Sequence, residues 1–536
     1  MNLITDQWIP VRHTDGTSGR IRPAQLGAMD NPPVALDAPR ADFNGALAQF
    51  LIGLLQTAFP PADGDEWLDR LEQPPSEQEL GHAFSGYAHA FDLDGDGPRF
   101  MQDYEALEKT LTEQKLENAA KPIEWLLIDS PSENTLENNT DHFVKRGYAA
   151  RLCPACAATA LFTLQLNAPS GGVGHRTSLR GGGPLTTLVT LDPKGSDLPD
   201  TLWHNLWLNI LPATARLTGN PGRDTPEDIF PWLAPTRTSN PEAGGQDTTP
   251  MDAHPHQMYW AMPRRIRLDF DELHAGSCDL CGAEGQVVRR YFTINYGINY
   301  TGAWRHPLSP YRERNEGEPL PLHPQPGGIG YRLWPGLVYS KTEGKQRIVP
   351  ALVVEEFLRE AVGMGQARIW AFGYDMDNMK PRCWYEATLP LYRVPDSILA
   401  DFAQCIRQMI ESADLVSGIL KTCIKEAWFK RPGDARGNTG FLADGFWQHT
   451  ETDFYAHLPR LIAAIPQDRD REVLADWYGA LKRAAQTLFD EWTSSGDVAF
   501  SEPERIARAH DKLVKQLNGR KLKHLLSLPT TQENVA

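Results

Sequence analysis

At 536 residues and 59.9 kDa the chain is long enough for about three or four domains, or for one large domain and a smaller one. Its 41% hydrophobic, 9% aromatic and 23% charged content, with mean hydropathy −0.43, is that of an ordinary globular protein, and a formal charge of −16 with a pI near 5.4 excludes a protein that holds a polyanion by bulk charge. Seven cysteines, an odd number in so long a chain, exclude a disulfide framework; no window approaches the roughly 20 apolar residues of a membrane span, and the opening MNLITDQWIPVRHTDG has no basic stretch followed by an apolar one. The expectation is a cytoplasmic protein with reduced thiols and no membrane contact.

Over the first 390 or so residues Gly and Pro recur so often that only short elements fit. Strand-like runs are LTTLVTL (185–191), QMYWAM (257–262) and VVRRYFTINY (287–296). Residues 133–147, 237–257 and 306–330 are too polar to be core and read as long loops, which in a compact domain are functional or disordered. The segment 373–384 reads, on its chemistry alone, as a polar turn ahead of a strand. Beyond residue 390 apolar positions recur at helical spacing. A stripe of Ile398, Phe402, Ile406, Met409, Ile410, Leu415, Ile419, Leu420 and Ile424 predicts a helix over Asp396–Ala427. Further helices fit Thr450–Ile465, Arg471–Thr493 and Glu502–Leu526, with the Gly-rich 433–440 as a long connection between the first two. The fold class predicted is α+β: residues 1–390 form a large irregular mixed domain, and residues 391–536 a C-terminal antiparallel four-helix bundle. Over Arg505–His524 seven Lys/Arg face one Asp, which reads either as a solvated helix face or as a phosphate-contacting one.

The sharpest chemical signal is a pair of knuckles, Cys153-Pro-Ala-Cys156 and Cys278-Asp-Leu-Cys281-Gly282. Two residues between cysteines let both thiolates reach one tetrahedral ion, and a Gly after the second knuckle relieves its tight turn. Four thiolates fill the coordination sphere of Zn²⁺, so the site would be structural rather than water-activating. The knuckles are more than a hundred residues apart, so a shared ion would staple distant segments. A redox dithiol and unrelated buried cysteines are the alternatives. Cys383, Cys405 and Cys423 are expected in the core. Zinc deaminase chemistry does not fit, because the proline lies inside the knuckle and His142 is followed by Phe143 and Val144. No phosphate-binding P-loop, HExxH, GxSxG or dinucleotide fingerprint is present, so no catalytic residue is assigned.

The second signal is the glycine-dense run Asn167–Pro184, in which Ser170-Gly171-Gly172-Val173-Gly174 precedes His175, Arg176 and Arg180. Glycines let a backbone approach a polyanion or a base edge, and the His and Arg residues would supply positive charge. A flexible linker is the alternative, although a linker rarely carries interspersed Arg or runs straight into a strand.

Taken in order, NLITDQWIPV, residues 122–147 (PIEWLLIDSPSENTLENNTDHFVKRG), the first knuckle, residues 167–187 (NAPSGGVGHRTSLRGGGPLTT), CDLCG, WRHPLSPY (304–311) and GYDMDNMKPRCWYE (373–386) resemble one family across nearly the whole chain. It is the CasA family, the large subunit of the type I-E CRISPR surveillance complex Cascade. Each motif alone is weak; their order is specific. The resemblance implies a subunit without catalysis that inspects double-stranded target DNA for a protospacer-adjacent motif (PAM) from the minor groove, while guide pairing reads the sequence. It places the glycine loop on Ser170, Gly171, Gly172, Val173 and Gly174, with Arg176 beside it. The family's PAM-sensing lysine falls on Asn295, a departure that keeps a donor but loses a charge, for which Arg289 or Arg290 would compensate. The wedge that opens the duplex falls on Asp377, Asn378 and Met379.

By the same resemblance the loop Ser130–Gly147 docks near the 5′ end of the CRISPR RNA through Asn134, Asn138, Asn139, Phe143, Lys145 and Arg146. Cys153, Cys156, Cys278 and Cys281 hold structural Zn²⁺, and Arg508, Lys512, Lys515, Arg520, Lys521 and Lys523 of the bundle hold duplex DNA or the displaced strand. The implied partners are the backbone, small and guide-end subunits of Cascade, CRISPR RNA, double-stranded target DNA, and a nuclease-helicase recruited after R-loop formation. A stand-alone zinc-dependent nucleic-acid enzyme and a purely structural scaffold subunit are the competing readings.

Overall fold

Helix α1 (Ala41–Ala58) carries almost no polar face, and most of its 18 residues are buried, so it is stable only when other elements surround it. In the computed structural model, which describes residues 1–131, 133–141, 146–360, 366–377, 380–434, 437–494 and 502–529, α1 lies in the core of the larger of two compact units. Phe50 meets the rings of Trp8, Phe91, Phe100, Phe162 and Trp260 nearly edge-on at 5.2–5.8 Å, the geometry that places positive ring edges on negative faces. Phe162 comes from α2 (Pro154–Asn167), so the core is built on the helix that begins at the first cysteine knuckle.

That unit comprises Met1–Pro326 and Gly336–Thr388. Around its core lie small sheets rather than one large one. Strands β1 (Ile9–His13), β2 (Ser18–Ile21) and β3 (Pro33–Leu36) form a sheet ordered β2-β1-β3. Strands β4 (Ala120–Pro122), β6 (Arg265–Leu268) and β9 (Arg290–Ile294) form another, ordered β4-β9-β6, and β7 (His274–Ser277) pairs with β8 (Glu284–Val287). Strand β5 (Thr186–Leu191) runs antiparallel to β14 (Ala367–Asp377), with Ala367 opposite Leu191 and Phe372 opposite Thr186, and β15 (Lys380–Leu391) is the third strand of that sheet. The four-stranded sheet is β11-β10-β13-β12, from β10 (Tyr311–Arg314), β11 (Leu320–Pro321), β12 (Lys341–Glu343) and β13 (Gln346–Val349).

Three sequence expectations fail here. QMYWAM is not a strand: Pro255 opens a 3-10 helix over Pro255–Trp260, where Met258, Tyr259 and Trp260 are buried by packing rather than by sheet alternation. In the segment 373–384, read as a polar turn, Gly373–Asp377 lie on β14 and Lys380–Trp384 on β15, and the buried Asp375 there is balanced by a 2.7 Å ion pair with Arg382. Cys383, expected in the core, is exposed on β15, whereas Cys405 and Cys423 are buried.

The second unit is Gly327–Pro335 with Leu389–Ala536. Its long helices are α3 (Leu399–Trp428), α4 (Gly440–Ala464), α5 (Asp470–Ser494) and α6 (Pro503–Leu517), and α3 touches each of the other three. Trp477 of α5 is fully buried and donates from Nε1 to the carbonyl of Met409 at 3.1 Å and to Ser412 Oγ at 3.2 Å, both on α3. The segment 327–335 belongs to this unit because Tyr331 stacks on Phe454 at 4.3 Å and shares a 2.9 Å hydrogen bond with Thr450. The helix expected over Glu502–Leu526 is two, α6 and α7 (Arg520–Leu525). Gly519 between them is extended, and a Cβ there would lie 2.9 Å from the carbonyl oxygen of Gln516. Among the described residues no helix is long and apolar enough to cross a membrane.

Candidate nucleic-acid interface and metal centre

Pro154, the residue inside the first knuckle, is the first residue of α2, where its missing N–H is no loss. Cys153 caps the same helix and its sulfur accepts from the Cys156 amide at 3.5 Å, so both thiols sit at a helix N-terminus, where negative charge is favoured. The second knuckle turns at Gly282, which has φ +71 and donates to the Cys278 carbonyl at 2.8 Å. Backbone pairing brings the knuckles together: Leu152 and Val288 exchange hydrogen bonds of 3.0 and 2.8 Å, and Asp279 pairs with Arg151 at 2.7 Å.

The four sulfurs of Cys153, Cys156, Cys278 and Cys281 lie within 4.8 Å of one another, with Cys153 and Cys281 at 3.7 Å. Tetrahedral bonds of about 2.3 Å put sulfurs about 3.8 Å apart, so this donor set fits a four-thiolate ion. The Arg20 guanidinium, 3.4 Å from the Cys281 sulfur, is placed to offset thiolate charge. Hydrogen bonds from Cys153 and Cys156 lower the pKa of Cys278.

The glycine loop leaves α2 and crosses to the end of β9. Ser170, Gly171, Gly172 and Val173 are exposed, Val173 at 76%. Gly172 and Gly174 have φ of +95 and +77, values that disfavour any other residue. Tyr296 donates to the Gly174 carbonyl at 2.8 Å, and a Cβ on Gly174 would lie 2.8 Å from the Cβ of Asn295. The loop and the exposed Asn295 thus form one surface, although they are distant in sequence.

The charges predicted around that loop behave differently from expectation. His175 is not cationic at neutral pH: burial, then the nearby Arg264 and Lys121, lower its pKa to about 4. Arg180 is 2% exposed and donates to Thr186 and Ser309 at 3.0 Å each and to Gln49 at 2.5 Å, so it holds the core and reaches no polyanion. Arg176 is half-buried and donates to the Ser239 hydroxyl at 2.7 Å and to its carbonyl at 3.1 Å. Ser239 lies in the polar 237–257 stretch, which is a folded support: Gln246 donates to Thr238 at 3.0 Å, and Ser239 to the Gly297 carbonyl at 2.7 Å. Arg290 is taken by Asp269 at 2.5 Å and Glu272 at 2.9 Å, which leaves Arg289 as the exposed cation of that pair.

Asp377 is exposed at the end of β14 and pairs with Arg382 at 3.4 Å, while Asn378 and Met379 lie outside the described residues. In the proposed docking loop a short helix spans Glu133–Glu137 and carries Asn134, and Asn138 follows it. Arg146 donates to Asn139 at 3.0 Å and pairs with Asp141 at 2.5 Å; Phe143 and Lys145 are outside the described residues.

On the C-terminal helices Arg508 pairs with Glu504 and Lys512 with Glu426, the latter at 2.5 Å. Lys515, Arg520 and Lys521 are exposed and Lys523 is half-buried. Sequence reasoning missed Arg264, which packs against Gly171 with its guanidinium nitrogens 3.1 and 3.3 Å from where a Cβ would stand. Its only signal was membership of the run Arg264-Arg265-Ile266-Arg267.

Residues 2–488 match the family model described as CRISPR-associated protein Cse1. The fold is similar to the crystal structure of Thermobifida fusca Cse1, at 19% identity and TM-score 0.69 over 99% of each chain. It is similar to Thermus thermophilus CasA, at 18% identity and TM-score 0.68 over 96% of this chain and 99% of that one. A chain of a CRISPR RNA-guided surveillance complex also shares the fold, at 17% identity and TM-score 0.59 over 97% of this chain and 99% of that one. With the match running through the cysteine knuckles, the glycine loop and most of the C-terminal helices, the chain belongs to the CRISPR-associated Cse1 family, also called CasA.

Proposed function

We propose that the chain is the non-catalytic large subunit of an RNA-guided antiviral DNA surveillance complex, in which it reads the PAM of duplex target DNA and starts R-loop formation. The observation that carries this reading is the meeting of the exposed loop Ser170–Gly174 with Asn295 on one surface, where backbone and a neutral amide donor are presented together. The minor groove offers acceptors at A·T pairs and an added donor at G·C pairs, so a carboxamide on a glycine platform discriminates by donor–acceptor match without a charge. Asp377, Asn378 and Met379 supply the wedge, whose insertion costs a few kcal/mol of stacking that heteroduplex formation offsets.

The remaining parts have supporting roles. Zn²⁺ in the four-cysteine cluster would leave no open coordination position, so it holds the two knuckles together and activates no water. Residues 391–536 are an antiparallel four-helix bundle whose basic face, Arg508 to Lys523, takes duplex DNA or the displaced strand. The loop 130–147 docks onto the other Cascade subunits at the guide RNA end, and a nuclease-helicase is recruited to the subunit after the R-loop forms. These events take place in the cytoplasm.

The test is a gel-shift titration of the assembled complex, with and without this subunit, on duplexes differing only in the PAM at fixed salt. PAM discrimination that appears only with the subunit and disappears with Gly172→Asp or Asn295→Ala is the expected result. A PAM preference indifferent to the subunit refutes the reading.

A further inference from the structure

Arg264 precedes β6 and is fixed there by α2: its amide donates to Gln165 Oε1 at 3.0 Å, and its carbonyl accepts from Gln165 Nε2 at 3.0 Å. The side chain turns toward the glycine loop, donates to the carbonyl of Pro169, and fills the space that a Cβ on Gly171 would need. Its residue is 8% exposed and its Nε–H is buried without an acceptor. Neighbouring arginines are balanced: Arg265 by Asp103 and Glu105, Arg267 by Glu108 and Arg290 by Asp269. Among the described residues no carboxylate pairs with Arg264. Burial lowers its pKa to about 10, which leaves it protonated at neutral pH, and the phenol of Tyr291 is the group that favours its charge. Burial first, then the positive charges of Arg264 and Lys121, lower the pKa of His175, so two cations face the ring beneath the loop in a chain of net charge −16.

A buried cation without a counter-ion is costly, and the cost falls when an anion arrives close by. This guanidinium lies against Gly171 and the Pro169 carbonyl, next to the exposed residues Ser170–Val173. We propose that Arg264 is the countercharge of a phosphate site on the glycine loop, where one phosphodiester of the nucleic-acid backbone seats on Ser170–Val173. The proposal rests on the DNA-reading function proposed above and extends it: Asn295 faces a base edge, while Arg264 supplies sequence-independent attraction that sets the loop's register on the strand. It also accounts for Gly171, whose φ is not left-handed and whose missing side chain instead makes room for the guanidinium.

The test is a fluorescence anisotropy titration of the assembled complex on duplexes with and without the PAM, across a salt series, for the unaltered subunit, Arg264→Gln and Arg264→Lys. Loss of one phosphate contact lowers the slope of log K against log salt by about 0.9. Arg264→Gln is expected to show that drop and to weaken both duplexes by the same factor, with the PAM ratio intact, while Arg264→Lys keeps the slope with weaker binding. An unchanged slope and affinity in Arg264→Gln, with PAM preference intact, overturns the phosphate site alone. Absence of PAM preference in the unaltered complex instead removes the functional reading, and the slope still judges Arg264. If Arg264→Gln does not assemble, unchanged affinity of Arg264→Lys for both duplexes overturns the proposal.

Discussion

Asn295 and Gly174 are so close that a single added carbon on Gly174 would lie 2.8 Å from the Cβ of Asn295 and 3.0 Å from the backbone nitrogen of Tyr296. Gly172, two residues earlier, also has positive φ but has nothing within 4 Å of its missing side chain. The two glycines therefore separate backbone cost from contact. Gly172→Ala is expected to cost about 1 kcal/mol of loop stability through its left-handed backbone alone. Gly174→Ala carries that cost and also pushes the loop off Asn295, so PAM discrimination should fall at least several-fold further in an affinity titration. Equal effects of the two substitutions would show that the contact with Asn295 plays no part.

Metal content provides a second check. The purified chain should carry about one zinc, measured by inductively coupled plasma mass spectrometry, because one ion satisfies all four thiolates. Cys278→Ser should remove it and expose residues 151–156 and 277–288 to limited proteolysis, since the knuckles otherwise rely on the Leu152–Val288 pairing and the Arg151–Asp279 ion pair. Strong chelation should have the same effect on the unaltered chain.

His175 gives the loop an acid limit. Its pKa is lowered from 6.5 in the unfolded chain to about 4 in the fold, by burial first and then by Arg264 and Lys121. The unfolded state thus binds the proton more readily, and the stability contributed by neutral His175 is complete above pH 6.5 and lost as pH falls toward 4. With part of the ring solvated, the loss is of order 2 kcal/mol. Denaturation midpoints measured between pH 7 and 4 should show a shallower acid limb in His175→Gln than in the unaltered chain.

Arg180 tests the opposite outcome, a cation in the glycine-dense run that has no part in DNA binding. Arg180→Ala leaves Gln49, Thr186 and Ser309 without their buried donor and is expected to cost about 3 kcal/mol in chemical denaturation. Arg180→Met, which restores the volume, should cost less. Neither should change the salt dependence of DNA binding in the assembled complex, because the guanidinium is enclosed.

The clustering of Cys153, Cys156, Cys278 and Cys281 was legible because coordination geometry dictates residue type and spacing whatever the fold around it. The long helices were legible from their apolar stripes, though α4 begins ten residues before its expected start and the last helix breaks at Gly519. β14 and β15 were hidden because Asp375, Asp377 and Arg382 balance one another within the sheet, which makes the segment polar in sequence. QMYWAM was misread because a short apolar run has no period that separates a strand from a buried turn. The fates of His175, Arg176, Arg180 and Arg264 depend on burial and on partners far along the chain, such as Ser239, Gln49 and Gln165, and no local pattern carries that information.

The basic C-terminal residues divide by the same criterion, and that division makes the last prediction. Arg508 and Lys512 already have acidic partners in Glu504 and Glu426, whereas Lys515, Arg520 and Lys521 are exposed and pair with no carboxylate among the described residues. Surface pairs contribute at most about 1 kcal/mol, so Lys512→Ala should change stability little. If the helices contact phosphates, however, a side chain that must leave Glu426 to do so contributes less than one already free. Lys515→Glu, Arg520→Glu and Lys521→Glu should therefore each weaken binding of the assembled complex to long duplexes more than Lys512→Glu. The triple change should lower the salt slope by up to about 2.7, the value for three phosphate contacts. PAM preference should persist, because these residues lie on helices that carry none of the PAM-reading groups proposed above. A slope unchanged in the triple variant would make this face a solvated surface and leave DNA holding to the rest of the complex.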